Sequence, residues 1–327
     1  MTSLEDQVAQ LTGSVISQLR QIGGQHLWQH YRGLLAGGRH IFIKNAARCP
    51  RQLLRSEALG LRWIAEAGAV PVPDVLGCDD TTLILSWVEP GAPTPSAAEQ
   101  FGRDLAHLHA STTQPTPAIS TPQPPLAPSQ VAATPPPPTT STPSTTPTTS
   151  SSPATFGAPW PGFIASLPLD NTQVTGQDAW PQWYAGRRLL PFLRRAADAG
   201  TLGPAGIKAV QAVIDRIGEL AGPPEPPSRI HGDCWSGNVL WSGGRGWLID
   251  PAAHGGHRET DLAMLALFGA PHLDRILAAY HEAVPLADGW RSRVPLHQLH
   301  PLLVHVCLFG SGYAASVHDA ARQALSG

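Results

Sequence analysis

At 327 residues the chain is long enough for two lobes of roughly 150 residues each. Apolar residues make up 42% of it, ample for a core, and charged residues only 14%, against about 25% in an average soluble domain. A net charge of −2 excludes a general nucleic-acid or anionic-membrane binder, and no apolar run reaches the ~18 residues of a membrane helix.

In chain order, Met1-Thr2-Ser3-Leu4-Glu5-Asp6 has neither the basic nor the apolar stretch of a secretion signal, so a cytoplasmic chain without membrane or nucleic-acid partners is expected. Residues 29–35 and 39–44 read as two strands joined by a turn at Gly37-Gly38, the second alternating through His40-Ile41-Phe42-Ile43-Lys44. Residues 51–67 place Leu53, Leu54, Leu61 and Ile64 at helical spacing, with Gly68 as the stop. Residues 82–88 (Thr-Leu-Ile-Leu-Ser-Trp-Val) suit a buried strand, and 97–110 a helix. Residues 111–155 hold no charged side chain and are mostly Pro, Thr, Ser and Ala. Such a stretch buries too little apolar surface to offset its ordering entropy, so a disordered insertion is expected, or a weak proline-rich ligand for a partner. Beyond it, 205–220, 260–268 and 273–283 read as helices, and 239–241 and 247–249 as a hairpin around Ser242-Gly243-Gly244-Arg245-Gly246.

Chemistry concentrates around that hairpin. His231-Gly232-Asp233-Cys234-Trp235-Ser236-Gly237-Asn238 precedes it, and Leu248-Ile249-Asp250-Pro251 ends it. Phosphoryl transfer from ATP needs a carboxylate to take the proton of the attacking hydroxyl, and an amide oxygen and second carboxylate to hold Mg²⁺. Asp233 is the expected base; Asn238 and Asp250 are the expected metal ligands. Lys44 is one of only two lysines among 22 basic residues, the other being Lys208. It ends a strand, with Glu57 on the next helix, the pairing a kinase uses to bind and aim at nucleotide phosphates. Cys49, Cys78, Cys234 and Cys307 are far apart in sequence and read as reduced thiols, and the 14 histidines show no metal-binding spacing.

These residues resemble the fructosamine kinase (ketosamine-3-kinase) family, within the aminoglycoside-phosphotransferase-like branch of the protein-kinase-like fold. His231-Gly232-Asp233 with Asn238 marks the branch. Trp235-Ser236-Gly237-Asn238, Ile249-Asp250-Pro251-Ala252 and the run from Gly256 to Met264 resemble the family more specifically, as do Trp183-Tyr184 and Arg187-Arg188-Leu189. The resemblance implies an α+β, bilobal fold: a small antiparallel-sheet N-lobe at 1–88 that binds nucleotide, and a mainly helical C-lobe at 89–327 that carries catalysis and the acceptor. It implies ATP and Mg²⁺, and phosphorylation of a ketosamine hydroxyl, on a free sugar-amine or a glycated protein. Gly23 and Gly24 fall in the expected phosphate loop, where amides can approach a phosphate unobstructed. Ser86, Trp87 and Val88 fall in the lobe linker, whose backbone would bond adenine.

The chain departs from the family pattern at Gln25 and Trp28 in that loop, and at Leu169. Trp235 and His254 are candidates for the acceptor pocket, Trp235 equally for packing; Arg258 and Glu259 are candidates for shaping it, and Asp261 for supporting the catalytic loop. Two alternatives stay open: an aminoglycoside- or choline-type phosphotransferase, and a pseudokinase scaffold.

Overall fold

The computed structural model describes residues 3–25, 27–46, 49–111 and 154–327. Helix α1 (Leu4–Thr12) is opened by Ser3, whose side chain accepts from the Asp6 amide while Asp6 reaches back to Ser3. A five-stranded antiparallel sheet follows: β1 (Ile16–Gln25), β2 (Trp28–Leu35), β3 (His40–Asn45), β4 (Val75–Cys78) and β5 (Thr82–Ser86), in spatial order β1-β2-β3-β5-β4. The alternation read in β3 holds, since Ile41 and Ile43 are fully buried. Strand β1 went unrecognised in the sequence because it is an edge strand whose Ser17, Gln18, Arg20 and Gln21 face solvent. Between β3 and β4 lies α2 (Leu53–Glu66), which sets Leu54, Ala58 and Leu61 against Leu83 and Leu85 of the sheet. Each leucine so buried contributes about 1.5–3 kcal/mol. Glu57 is on the same buried face.

Strand β5 stops two residues short of the predicted end, at Ser86. Helix α3 (Pro95–Ala110) begins with Thr94, whose hydroxyl accepts from the Ala97 amide. The boundaries read for the insertion shift inward. Ser111 caps α3, and Thr155 pairs with Thr175 in a two-stranded ladder of β6 (Thr155–Phe156) and β9 (Val174–Thr175). Residues 112–153 lie outside the described residues. A second small hairpin, β7 (Gly162–Ile164) with β8 (Leu167–Leu169), leads to α4 (Trp180–Tyr184), a π-helical turn at Ala185–Leu189 and α5 (Leu190–Asp198).

The helix expected over 205–220 is two: α6 (Pro204–Asp215) and α7 (Ile217–Leu220), broken where Arg216 leaves helical geometry at φ −106°, ψ 12°. Strands β10 (Ser228–Ile230) and β13 (His254–Gly256) pair with each other, enclosing the β11 (Val239–Ser242) and β12 (Arg245–Leu248) hairpin in sequence. Helices α8 (Glu259–Phe268), α9 (Leu273–Ala283), α10 (Trp290–Phe309) and α11 (Ala314–Ser326) complete the lobe. Helix α10 carries Pro301 in its interior, which cannot donate to the carbonyl of His297. The Tyr184 hydroxyl donates there instead, at 3.2 Å, and to Leu296 O at 3.1 Å. The result is the expected bilobal α+β architecture, an antiparallel sheet lobe joined to a helical one. No helix among the described residues is long and apolar enough to cross a membrane.

Candidate active site

The catalytic loop is shaped by its own glycine and histidine. Gly232 adopts φ +80°, and a Cβ there would meet Ala252 O at 2.4 Å, so only glycine fits. His231 is wholly buried; its Nδ1 accepts from the Asp233 amide at 3.2 Å. Its Nε2 therefore carries the proton and donates to Ile249 O at 2.8 Å, tying the loop to the segment that ends in Asp250. Burial holds this imidazole neutral by lowering its pKa. A 3₁₀ turn at Ser236–Asn238 brings Asn238 back onto Asp233. Its Nδ2 donates to Asp233 Oδ2 and to Asp233 O, both at 2.9 Å, leaving Oδ1 without a hydrogen-bond partner among the described residues. Burial pushes the Asp233 carboxyl up to about 7, against the Asn238 hydrogen bond.

Asp250 leaves β12 at φ +51°, in the left-handed region that non-glycine residues rarely adopt and that clusters at functional sites. Across the lobes, Lys44 Nζ donates to Glu57 Oε2 at 2.9 Å and to Asp250 Oδ1 at 3.2 Å. Burial opposes the charge on Lys44, but Asp250 and Glu57 outweigh it and raise its pKa. At Asp250 desolvation is outweighed by the same ammonium together with Glu57 and His30, which hold that carboxyl below its ordinary value. The Asp250 side chain remains 40% exposed. Residues at the two ends of the polypeptide thus meet at one point. A partly exposed carboxylate and an amide oxygen with no hydrogen-bond partner among the described residues are donors suited to a hard cation such as Mg²⁺, which keeps waters and phosphate oxygens as its other ligands.

The remaining expectations divide. Gly23 and Gly24 lie within β1, paired with His30 and Gln29, so the glycines sit in the ladder and not in a turn. His26 lies outside the described residues. Ser86 N–H donates to Asp74 O at 2.9 Å and Trp87 N–H to His40 O at 3.1 Å. Only Val88 of the three keeps a free backbone N–H among the described residues, because the sheet consumes the other two. Trp235 is 38% exposed and begins a row of rings that continues through Phe268 and His305 to Tyr313, with centroids 6.1, 5.0 and 4.9 Å apart.

His254, Arg258 and Glu259 are committed inside the protein. His254 is buried, donates from Nδ1 to Ala252 O at 2.8 Å, and is kept neutral by burial and the charge of Arg188, its pKa brought down to about 3. Arg258 grips Glu225 through two bonds of 2.6 and 2.7 Å. Arg293 takes both oxygens of Glu259 at 2.9 and 2.5 Å. Sequence spacing missed one cluster. His257, Glu259 and His297 converge within 4.8 Å, but with both carboxylate oxygens on Arg293 and His257 Nδ1 accepting the Glu259 amide, it is a buried ion-pair cluster. The four cysteines are unpaired, as read.

A sheet lobe bearing a buried Lys–Glu pair, set over a helical lobe bearing two cleft carboxylates, is the architecture of protein-kinase-like phosphotransferases. A macrolide 2'-phosphotransferase from Brachybacterium faecium shares that fold at a TM-score of 0.57 and 14% identity, covering 97% of this chain and 96% of its own. The chain belongs to the fructosamine kinase family, whose model matches residues 1–118 and 148–327. It is similar throughout to the crystal structure of a Thermobifida fusca protein described as a putative fructosamine-3-kinase, at 45% identity and a TM-score of 0.84 over 100% of both chains. A protein of Thermus thermophilus named probable ketoamine kinase is 30% identical over 282 residues, 86% of this chain and 85% of its own. Membership of that family makes this chain a phosphotransferase enzyme.

Proposed function

We propose that the chain transfers the γ-phosphoryl group of Mg–ATP to a sugar hydroxyl of a ketosamine. The observation that carries this reading is the pair of hydrogen bonds that Lys44 donates, to Glu57 within its own lobe and to Asp250 in the other. A cation so held is aimed where nucleotide phosphates would lie. Asp250 and Asn238 are the residues that would hold Mg²⁺, whose chemistry there is to neutralise phosphate charge. Asp233 orients the acceptor hydroxyl and takes its proton as the oxygen bonds to the γ-phosphorus and the bond to the β–γ bridging oxygen breaks, releasing ADP. A carboxyl pushed up to about 7 is well matched to that proton. Val88 offers the backbone donor for adenine, and the exposed face of Trp235, two residues from the base, offers a platform for the sugar.

The test is turnover of Mg–ATP by the purified chain with fructosamines, ribulosamines, aminoglycosides and choline, followed by ADP release. Ketosamine-dependent turnover is expected, and Asp233→Asn and Asp250→Ala should each reduce kcat at least about a hundredfold with the fold intact. Preferential use of an aminoglycoside or choline would replace the acceptor assignment. Absence of stabilisation by Mg–ATP in a thermal-shift measurement would favour a scaffold.

A further inference from the structure

Behind the catalytic loop, Asp261 is fully buried and accepts three hydrogen bonds. Its Oδ2 accepts from the His231 amide at 2.7 Å and meets His109 Nε2 at 3.1 Å, and its Oδ1 accepts from the Gly232 amide at 2.9 Å. Burial opposes its charge, but His109 and His231 together outweigh that and hold the carboxyl ionised, below its ordinary value. An ionised carboxylate only accepts, so His109 Nε2 carries a hydrogen; in the neutral ring Nδ1 then has a lone pair to offer. The Tyr280 hydroxyl lies 2.9 Å from that Nδ1, and both side chains are buried, at 0% and 3% exposure. With that neutral ring the row runs from Tyr280 to His109 and from His109 to Asp261, with the His231 and Gly232 amides donating to Asp261 from the other side.

We propose that Tyr280 is a positioning residue for phosphoryl transfer, acting through His109 and Asp261 on the loop that carries Asp233. The proposal rests on the reading of Asp233 as the base. The two amides that Asp261 holds belong to the residues immediately before Asp233, so a turn of that carboxylate would shift the backbone from which the base projects. His109 limits the turn only while its ring is itself held, and the Tyr280 hydroxyl holds it. The helix pair is built to allow this contact. Gly102 of α3 lies so close to α9 that a Cβ would meet Ile276 O at 2.2 Å, and two turns along α3 from Gly102, His109 meets Tyr280. Arg258 sits beside the phenol and is itself clamped by Glu225, which fixes the far end of the row.

Tyr280→Phe removes the hydroxyl and keeps the ring. It should lower kcat roughly three- to tenfold, the effect of one lost hydrogen bond, with KM for Mg–ATP unchanged. Amide hydrogen exchange should accelerate at His231 and Gly232 and stay unchanged in β3 and β5. His109→Gln should show the same pattern, and the double variant should lose no more than the worse single one, because both act through one path. Unchanged kcat with unchanged exchange would overturn the proposal. So would additive losses, or exchange raised across the whole fold, which would make Tyr280 a packing residue alone. Should the unmodified chain transfer no phosphoryl group, the proposed function fails, and exchange at the two loop amides still decides whether Tyr280 positions them.

Discussion

The ammonium of Lys44 has three hydrogens, and two are committed to Glu57 and Asp250. The third side of the ammonium meets the face of Trp28, whose ring centroid lies 4.8 Å away. A phosphate oxygen approaching Lys44 therefore competes with the indole for the one uncommitted direction. A cation–π contact to an ammonium as buried as that of Lys44 is worth about 2 kcal/mol, or roughly thirtyfold in affinity. Trp28→Ser should accordingly lower KM for Mg–ATP by about that factor and leave kcat nearly unchanged, as steady-state kinetics would show. A higher KM would mean that the ring belongs to the nucleotide site. Trp28 stood out in the sequence as a departure from the family pattern, but its contact with Lys44 was not legible there. The two residues lie on neighbouring strands, and strand register decides which side chains share a face.

At the scale of elements, the contact between α3 and α9 sets backbone against backbone. Replacing a helical glycine with alanine ordinarily gains about 1 kcal/mol of helix propensity. At Gly102 the new methyl would lie 2.2 Å from Ile276 O, a backbone atom that cannot step aside as a side-chain tip can. Overpacking of this kind costs about 1–3 kcal/mol, so the clash exceeds the gain. Gly102→Ala should lower the urea midpoint of unfolding and slow turnover through displacement of Tyr280; a raised midpoint would show that the helices slide apart freely. Helices read from periodicity alone, such as α2 and α9, were legible because each buries one apolar face of its own. The break at Arg216 and the edge strand β1 were not. One keeps an unbroken apolar pattern across a kink, and the other has almost no buried face to show.

Across the whole molecule, the helical lobe is held partly by charge. Burial works against the ionised form of Glu259, but His297 and the Arg293 fork outweigh it and bring its pKa down to about 2. The carboxyl of an unfolded chain titrates near 4.3. A depressed folded value means stability that is fully present above about pH 4.3 and is lost as pH falls toward 2. Thermal unfolding followed across that window should show the loss, and Glu259→Gln should flatten it while lowering stability at neutral pH, since Arg293 would stay buried and unpaired. An unaltered acid slope in the variant would place the acid sensitivity elsewhere. Lys44, Glu57, Asp233, Asn238 and Asp250 could be picked out by spacing because each stands at a set distance from a strand, turn or helix end, and local geometry follows the local chain. Apart from the Lys44–Glu57 pair, the partner of each buried charge was decided only by packing. His254, Arg258 and Glu259 adjoin the same motif, yet they point into the protein toward Ala252, Glu225 and Arg293. A buried ion must be matched by whatever folding brings beside it, and for Arg258 and Glu259 that partner comes from a segment more than thirty residues away.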